Sequence, residues 1–173
     1  MSQSAPDVDA GAPPKAEARQ EYEWLLKLVG EWTYEFSVPA HGEHPAQKAT
    51  GTENVRPLGG VWIVAEGQGE TTGGGADTSL ITLGYDPAKA RFVGTWVGSM
   101  MPYLWIYDGE LDASGRVLTL NSSGPSMAGD GSTAQYQDVI EITGDDSRTL
   151  TARAQGSDGT WQEIMTMSYR RKR

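Results

Sequence analysis

The chain has 173 residues, a net charge of −9 from 14 Lys and Arg against 23 Asp and Glu, and no Cys. That length fits one domain able to bury a core without staples. The missing Cys excludes disulfides, thiolate metal sites and a Cys nucleophile. An acidic surface, of pI about 4.6, repels phosphate backbones, so nucleic acid is disfavoured as a partner. No apolar run approaches the roughly 18 residues of a membrane span. No apolar stretch follows Met1 as a secretory signal requires, so the cytoplasm is the default compartment.

Residues 1–16 are rich in Ala, Pro, Ser, Asp and Gly. They carry too little apolar surface to offset the entropy of ordering, and read as a disordered leader. One domain is expected over 17–173. Its first element is an amphipathic helix at 17–28, because Tyr22, Leu25, Leu26 and Val29 recur at helical spacing. Gly30 is its natural stop.

From Gly30 onward the pattern is β. "EWTYEFSV" alternates Trp32, Tyr34, Phe36 and Val38 against Thr33, Glu35 and Ser37, the period of a strand with one buried face. "KATGTENVRPL", "GVWIVAEGQGE", "TSLITLGYD", "RFVGTWVGS", "PYLWIYDGEL", "RVLTLNSSG", "AQYQDVIEIT", "RTLTARAQ" and "TWQEIMTMSYRR" follow. Short turns such as "DPAKA", "DASG" and "GSDG" join most of them. About ten strands without intervening helices predict an antiparallel meander closed into a barrel of eight to ten strands, with the helix over one end. A two-sheet sandwich is the alternative, but it calls for long crossovers that the spacing does not provide. The closing "YRRKR" reads as a solvated terminus.

Strand parity then sorts the large side chains. Trp32 and Tyr34 share a face, as do Trp62 and Glu66, Phe92 and Trp96, and Tyr103, Trp105 and Tyr107. So do Tyr136 and Asp138, and Trp161, Glu163, Met165 and Met167. Acids stand in line with aromatics and Met. One reading is a packed core with rim acids turned to water. The other is a lined cavity, favoured because a barrel of this strand number has an interior too wide for side chains alone. On that reading Tyr34, Trp62, Trp96, Trp105, Tyr107, Met165 and Met167 form the wall, and Glu66, Asp138 and Glu163 the polar anchors.

The motifs "WLLKLVGEWTYEF", "GTENVRPLGGVWIVAEG", "LGYDPAKARFVGTWV", "LWIYDGELDASGRVLTL", "YQDVIEI" and "DGTWQEIMTMSYRR" resemble a bacterial family of uncharacterised calycin-like proteins over about residues 20–171. Calycins include the lipocalins, the fatty-acid-binding proteins and the nitrobindins. The "GEW" resembles the lipocalin-type Gly-x-Trp. That resemblance implies that Trp32 plugs the barrel bottom beside the helix, and it implies no activity.

Specific chemistry finds little support. Haem-binding relatives need a His late in the barrel, whereas the two His here, His41 and His44, lie in "AHGEHPAQ". With Glu43 they form a weak Zn pattern, and solvent-exposed loop His is the better reading, so no metal and no cofactor are expected. No triad can be assembled without another His. Glu53, Glu66, Asp138 and Glu163 remain, with Arg56 and Arg153 as possible partners. A carboxylate in a dry aromatic pocket has a raised pKa and can move protons. The expected function is binding of a small, largely apolar molecule of fatty-acid, isoprenoid or aromatic type. The first rival is a cofactor-free isomerase, cyclase or hydratase using Glu163 or Asp138. The second is a solid-cored scaffold that docks a partner. A homodimer is left open.

Overall fold

The computed structural model describes residues 19–70 and 75–173; the expected leader lies outside them. The described chain begins with α1 (Arg19–Leu26). Ten strands follow: β1 (Gly30–Val38), β2 (Gln47–Leu58), β3 (Trp62–Glu70), β4 (Ala76–Asp86), β5 (Arg91–Gly98), β6 (Met101–Leu111), β7 (Val117–Pro125), β8 (Thr133–Gly144), β9 (Ser147–Gln155) and β10 (Trp161–Arg171). Each strand pairs antiparallel with the next, and β1 pairs with β10, so the sheet is a closed meander barrel. The barrel expected from the alternating pattern is the one observed, and the sandwich alternative is set aside. No helix among the described residues is long and apolar enough to cross a membrane.

The helix is shorter than its periodicity suggests. It ends at Leu26, and Lys27, Leu28 and Val29 close tight turns through backbone bonds to Trp24, Leu25 and Leu26. Gly30 then opens β1 with φ of +138°. The backbone angle calls for Gly here, and the Arg171 guanidinium lies where a Cβ would stand.

α1 and the turn after it seal one end. Trp24, Leu25 and Leu28 are buried against Phe92, Ile63 and Leu83. The Trp24 ring meets Phe92 edge-on at 5.7 Å, and its Nε1 donates to the Gly115 carbonyl at 3.0 Å. A short helix is marginal in water, and this buried face is what holds it. Trp32 is 2% exposed just inside the same end. Its Nε1 donates to the Leu28 carbonyl at 2.9 Å, and Arg171 lies over its ring at 4.2 Å. Arg171 also donates to the carbonyls of Val29 and Lys27. One arginine of the last strand thus fastens the turn that leads into the first.

Candidate functional site

Burial divides the interior into two halves. Near the sealed end the inward side chains Trp32, Val55, Ile63, Leu83, Leu118 and Leu150 are each no more than 5% exposed. Towards the other end the inward face changes character. Tyr34, Phe36, Ile81, Trp96, Trp105, Met165 and Met167 face inward by register, yet each retains partial exposure. On the strands paired with theirs, β2, β3 and β9 present Ala49, Gly51, Gly67, Gly69, Ala152 and Ala154. Large side chains thus stand beside small ones on paired strands, and the small residues give the rings space to lie over them.

The glycines decide where two rings lie. A Cβ at Gly51 or Gly69 would collide with the Tyr34 ring, so these positions let Tyr34 lie across β2 and β3. A Cβ at Gly124 would strike Trp105. Trp105 is thereby seated on β7 and packs edge-on against Tyr136 at 4.8 Å and Tyr103 at 4.9 Å. Aromatic contacts of this geometry hold rings in place while leaving a face for a partner.

Between the two halves lies a polar layer. The Arg148 guanidinium stands 3.7 Å from the Tyr169 ring centroid and 4.8 Å from that of Trp32. It donates to Glu53 Oε1 in a fully interior ion pair, the partners' side chains being 4% and 6% exposed. The Tyr169 hydroxyl donates to the other Glu53 oxygen at 3.4 Å, and its ring meets Tyr34 at 5.4 Å. Arg148 Nε is buried with no hydrogen-bond partner among the described residues.

The second polar pair joins β6 to β8, where the Tyr107 hydroxyl donates to Asp138 Oδ2. Burial pushes the Asp138 pKa up, and the Tyr107 hydrogen bond only partly opposes it. Tyr107 is raised well above an ordinary phenol, by burial first and then by the neighbouring Asp138 charge. Tyr169 is also raised well above, by burial and then by Glu53, against the lowering effect of Arg148. These groups form a polar layer between the packed half and the half-exposed aromatics.

The sequence-expected residues divide accordingly. Tyr34, Trp96, Trp105, Tyr107, Asp138, Met165 and Met167 are brought together inside. Trp62, Glu66 and Glu163 stand on the outer wall. Trp62 pairs with Gly84 and lies over it from outside, 38% exposed, because the inward residues of β3 are Ile63 and Ala65. Glu66 has the same outward parity and pairs with Arg56 at 3.7 Å. Glu163 is exposed and accepts from Thr166 at 2.7 Å. A register shift between Glu163 and Met165 separates this acid from the two Met that share its sequence parity. Of the three anchor acids, Asp138 alone faces the interior.

Arg153 is outward, opposite Glu163. His41 and His44 are exposed and close a tight turn through reciprocal backbone bonds of 3.0 Å. No group of three or more His, Asp or Glu arranged for a metal occurs among the described residues. A groove of about 820 Å³ crosses β10, β1, β2, β3 and the start of β4, lined by Thr33, Tyr34, Glu35, Gly51, Gln68 and Arg170 among others. It is open, and the half-buried Tyr34 ring with Gly51 and Gly69 forms part of its lining beside the polar side chains.

Sequence reasoning missed Arg148. Its signal was present, since Arg148 alternates in phase with the apolar Leu150 and Ala152. A charge in the buried register of a strand marks a partner across the interior, and that partner is Glu53.

A family model described as a protein of unknown function (DUF1579) matches residues 17–171. No curated protein matches the chain. The solved structures similar in fold include the following two. The crystal structure of Rv2717c from M. tuberculosis aligns with a TM-score of 0.63 at 14% identity, covering 87% of this chain and 96% of that one. The S-type phycobiliprotein lyase CPES from Guillardia theta aligns with a TM-score of 0.57 at 12% identity, covering 92% and 99%. At these identities the likeness concerns the barrel and carries no activity across.

Proposed function

The chain belongs to the DUF1579 family of unknown function, and from its own geometry we propose that it binds a small, largely apolar molecule in the open half of the barrel. The carrying observation is the contrast in burial. Inward aromatics and Met keep solvent contact above a polar layer in which Glu53, Arg148, Tyr107 and Tyr169 are buried and Asp138 is half-buried, whereas the sealed half is packed. A cup with an aromatic wall and a few fixed polar groups at its base is the usual form of a small-molecule site. Trp96, Trp105, Tyr34, Met165 and Met167 supply contact area. Tyr107 and Asp138 supply orientation. Kinship with the calycins is part of the same reading, supported by the Gly-x-Trp beside a capping helix.

Native mass spectrometry of the purified protein, followed by tryptophan fluorescence titration of the stripped protein, tests this. The expected result is a retained or reloaded apolar ligand at one per chain, with quenching of Trp96 and Trp105. A protein that carries nothing and takes up nothing from a lipid extract has no such site.

The Tyr107–Asp138 pair favours one second reading. A carboxyl with a raised pKa, bonded to a phenol at the base of an apolar cup, is placed to exchange a proton with a bound substrate. Glu163, on the outer wall, takes no part in it. Incubation with the captured ligand and product analysis separates the readings. A binder returns it unchanged, and an enzyme converts it in a manner lost in Asp138→Asn.

A further inference from the structure

Resting on that binding reading, we propose that the cup selects uncharged, hydroxyl-bearing apolar molecules over the corresponding carboxylates. The reason is charge balance. Among the described residues, Arg148 is the cation in the interior polar layer, and Glu53 already neutralises it within an ion pair closed by Trp32 and Tyr169. The remaining ionisable groups nearby are acids. Asp138 faces the cup, and Asp77 is near enough to Tyr34 to act on its hydroxyl from the mouth side. An entering carboxylate therefore meets one spoken-for guanidinium and three carboxyls. It must either displace Glu53, leaving that charge buried and unpaired, or remain without a counter-ion itself. Both are strongly unfavourable away from water.

A hydroxyl meets no such obstacle. Tyr107 occupies one oxygen of Asp138, and no hydrogen bond to the other is seen among the described residues. A ligand hydroxyl donates to that oxygen when Asp138 is ionised and accepts from it when Asp138 is protonated, so the pairing survives either state. The aromatic wall is indifferent to the polar group and holds the apolar body in each case.

A matched set of isoprenoids reads this out on the full chain: farnesol, farnesoic acid and farnesylamine, titrated by tryptophan fluorescence near neutral pH. Farnesol is expected to bind at least roughly tenfold more tightly than the acid, with Asp138→Ala losing most of that preference. Equal or tighter binding of the acid overturns the inference and leaves the binding reading standing. Tighter binding of the amine also overturns it, by showing that the carboxyls recruit a cation. Failure of all three, with no other apolar ligand taken up, removes the binding reading and the inference with it. Glu53→Gln adds a further arm. Freeing Arg148 from its counter-ion should raise the acid's affinity relative to the alcohol. Should that variant not fold, the ligand set on the unaltered protein still decides.

Discussion

Arg148 and Tyr169 are stacked in the barrel interior, the guanidinium carbon 3.7 Å from the ring centroid. Tyr169 also donates to the carboxylate that balances that guanidinium. The ring therefore contributes both a face to the cation and a proton to the anion. This arrangement makes the pair costly to break from one side. Arg148→Met leaves Glu53 buried without its counter-ion and is expected to lose about 3–5 kcal/mol of stability. Glu53→Gln should lose a comparable amount. The double variant should lose clearly less than the sum, since no uncompensated charge remains. Urea denaturation of all four proteins closes the cycle, and additive losses would mean that the pair is not coupled.

Asp138 gives a pH dependence of known sign. Its folded pKa lies above the unfolded value, which is about 3.9, because burial raises it. The native state thus holds a proton that the unfolded chain releases, and stability from this group falls as pH rises above about 4. Asp138→Asn keeps an oxygen for the Tyr107 hydroxyl and cannot ionise. The variant should match the parent in acid and equal or exceed it at neutral pH, as read from urea midpoints. A variant less stable only at neutral pH would reverse the assigned direction.

The buried phenols act at the other end of the scale. Tyr107 and Tyr169 are both raised well above the ordinary phenol value. The unfolded chain ionises at about pH 10 while the native protein resists, so stability declines as pH climbs beyond it. Alkaline titration followed by tyrosinate absorbance should show late ionisation coincident with loss of the native circular dichroism signal. Tyr107→Phe should remove part of that late step.

Trp24 and Trp62 are expected to behave oppositely when cut to Ala. Trp24 is 2% exposed and plugs the sealed end, so its loss should cost about 3–5 kcal/mol. Trp62 lies on the outer wall and should cost much less. Neither touches the cup. Ligand affinity should therefore hold in both, whereas Trp105→Ala and Trp96→Ala should lower it by roughly tenfold. Calorimetric titration of the four variants compares them directly.

Most of the barrel could be read in advance, because turn chemistry and a period of two are local signals. The inner faces of β1, β5, β6 and β8 are legible in the same way, since the bulky residues Trp32, Phe92, Tyr107 and Tyr136 coincide with the buried register. β3 defeated that logic. Its largest residue, Trp62, covers a glycine on the outside while Ile63 and Ala65 fill the core. Side-chain size is a proxy for burial that fails wherever a neighbouring strand offers a glycine to lie on. β10 failed for another reason. Its register shift comes at Ile164, and no residue there marks a break in alternation. The Arg148–Glu53 pair joins residues 95 apart in sequence, so pattern alone could flag each charge and could not introduce them.

Nine of the ten strand pairings join neighbours in sequence, and the tenth brings β1 to β10 from opposite ends of the described chain. Such a chain can form its hairpins early and still have two bare edges, since loop closure over that separation is the slow step. Arg171, reaching back to the Val29 and Lys27 carbonyls across 142 and 144 positions, belongs to that last join. Newly made protein should therefore pass through an open, edge-exposed intermediate, and Arg171→Ala should lengthen its life. Aggregation during refolding would rise with protein concentration in that variant even where the finished barrel is nearly as stable as the parent.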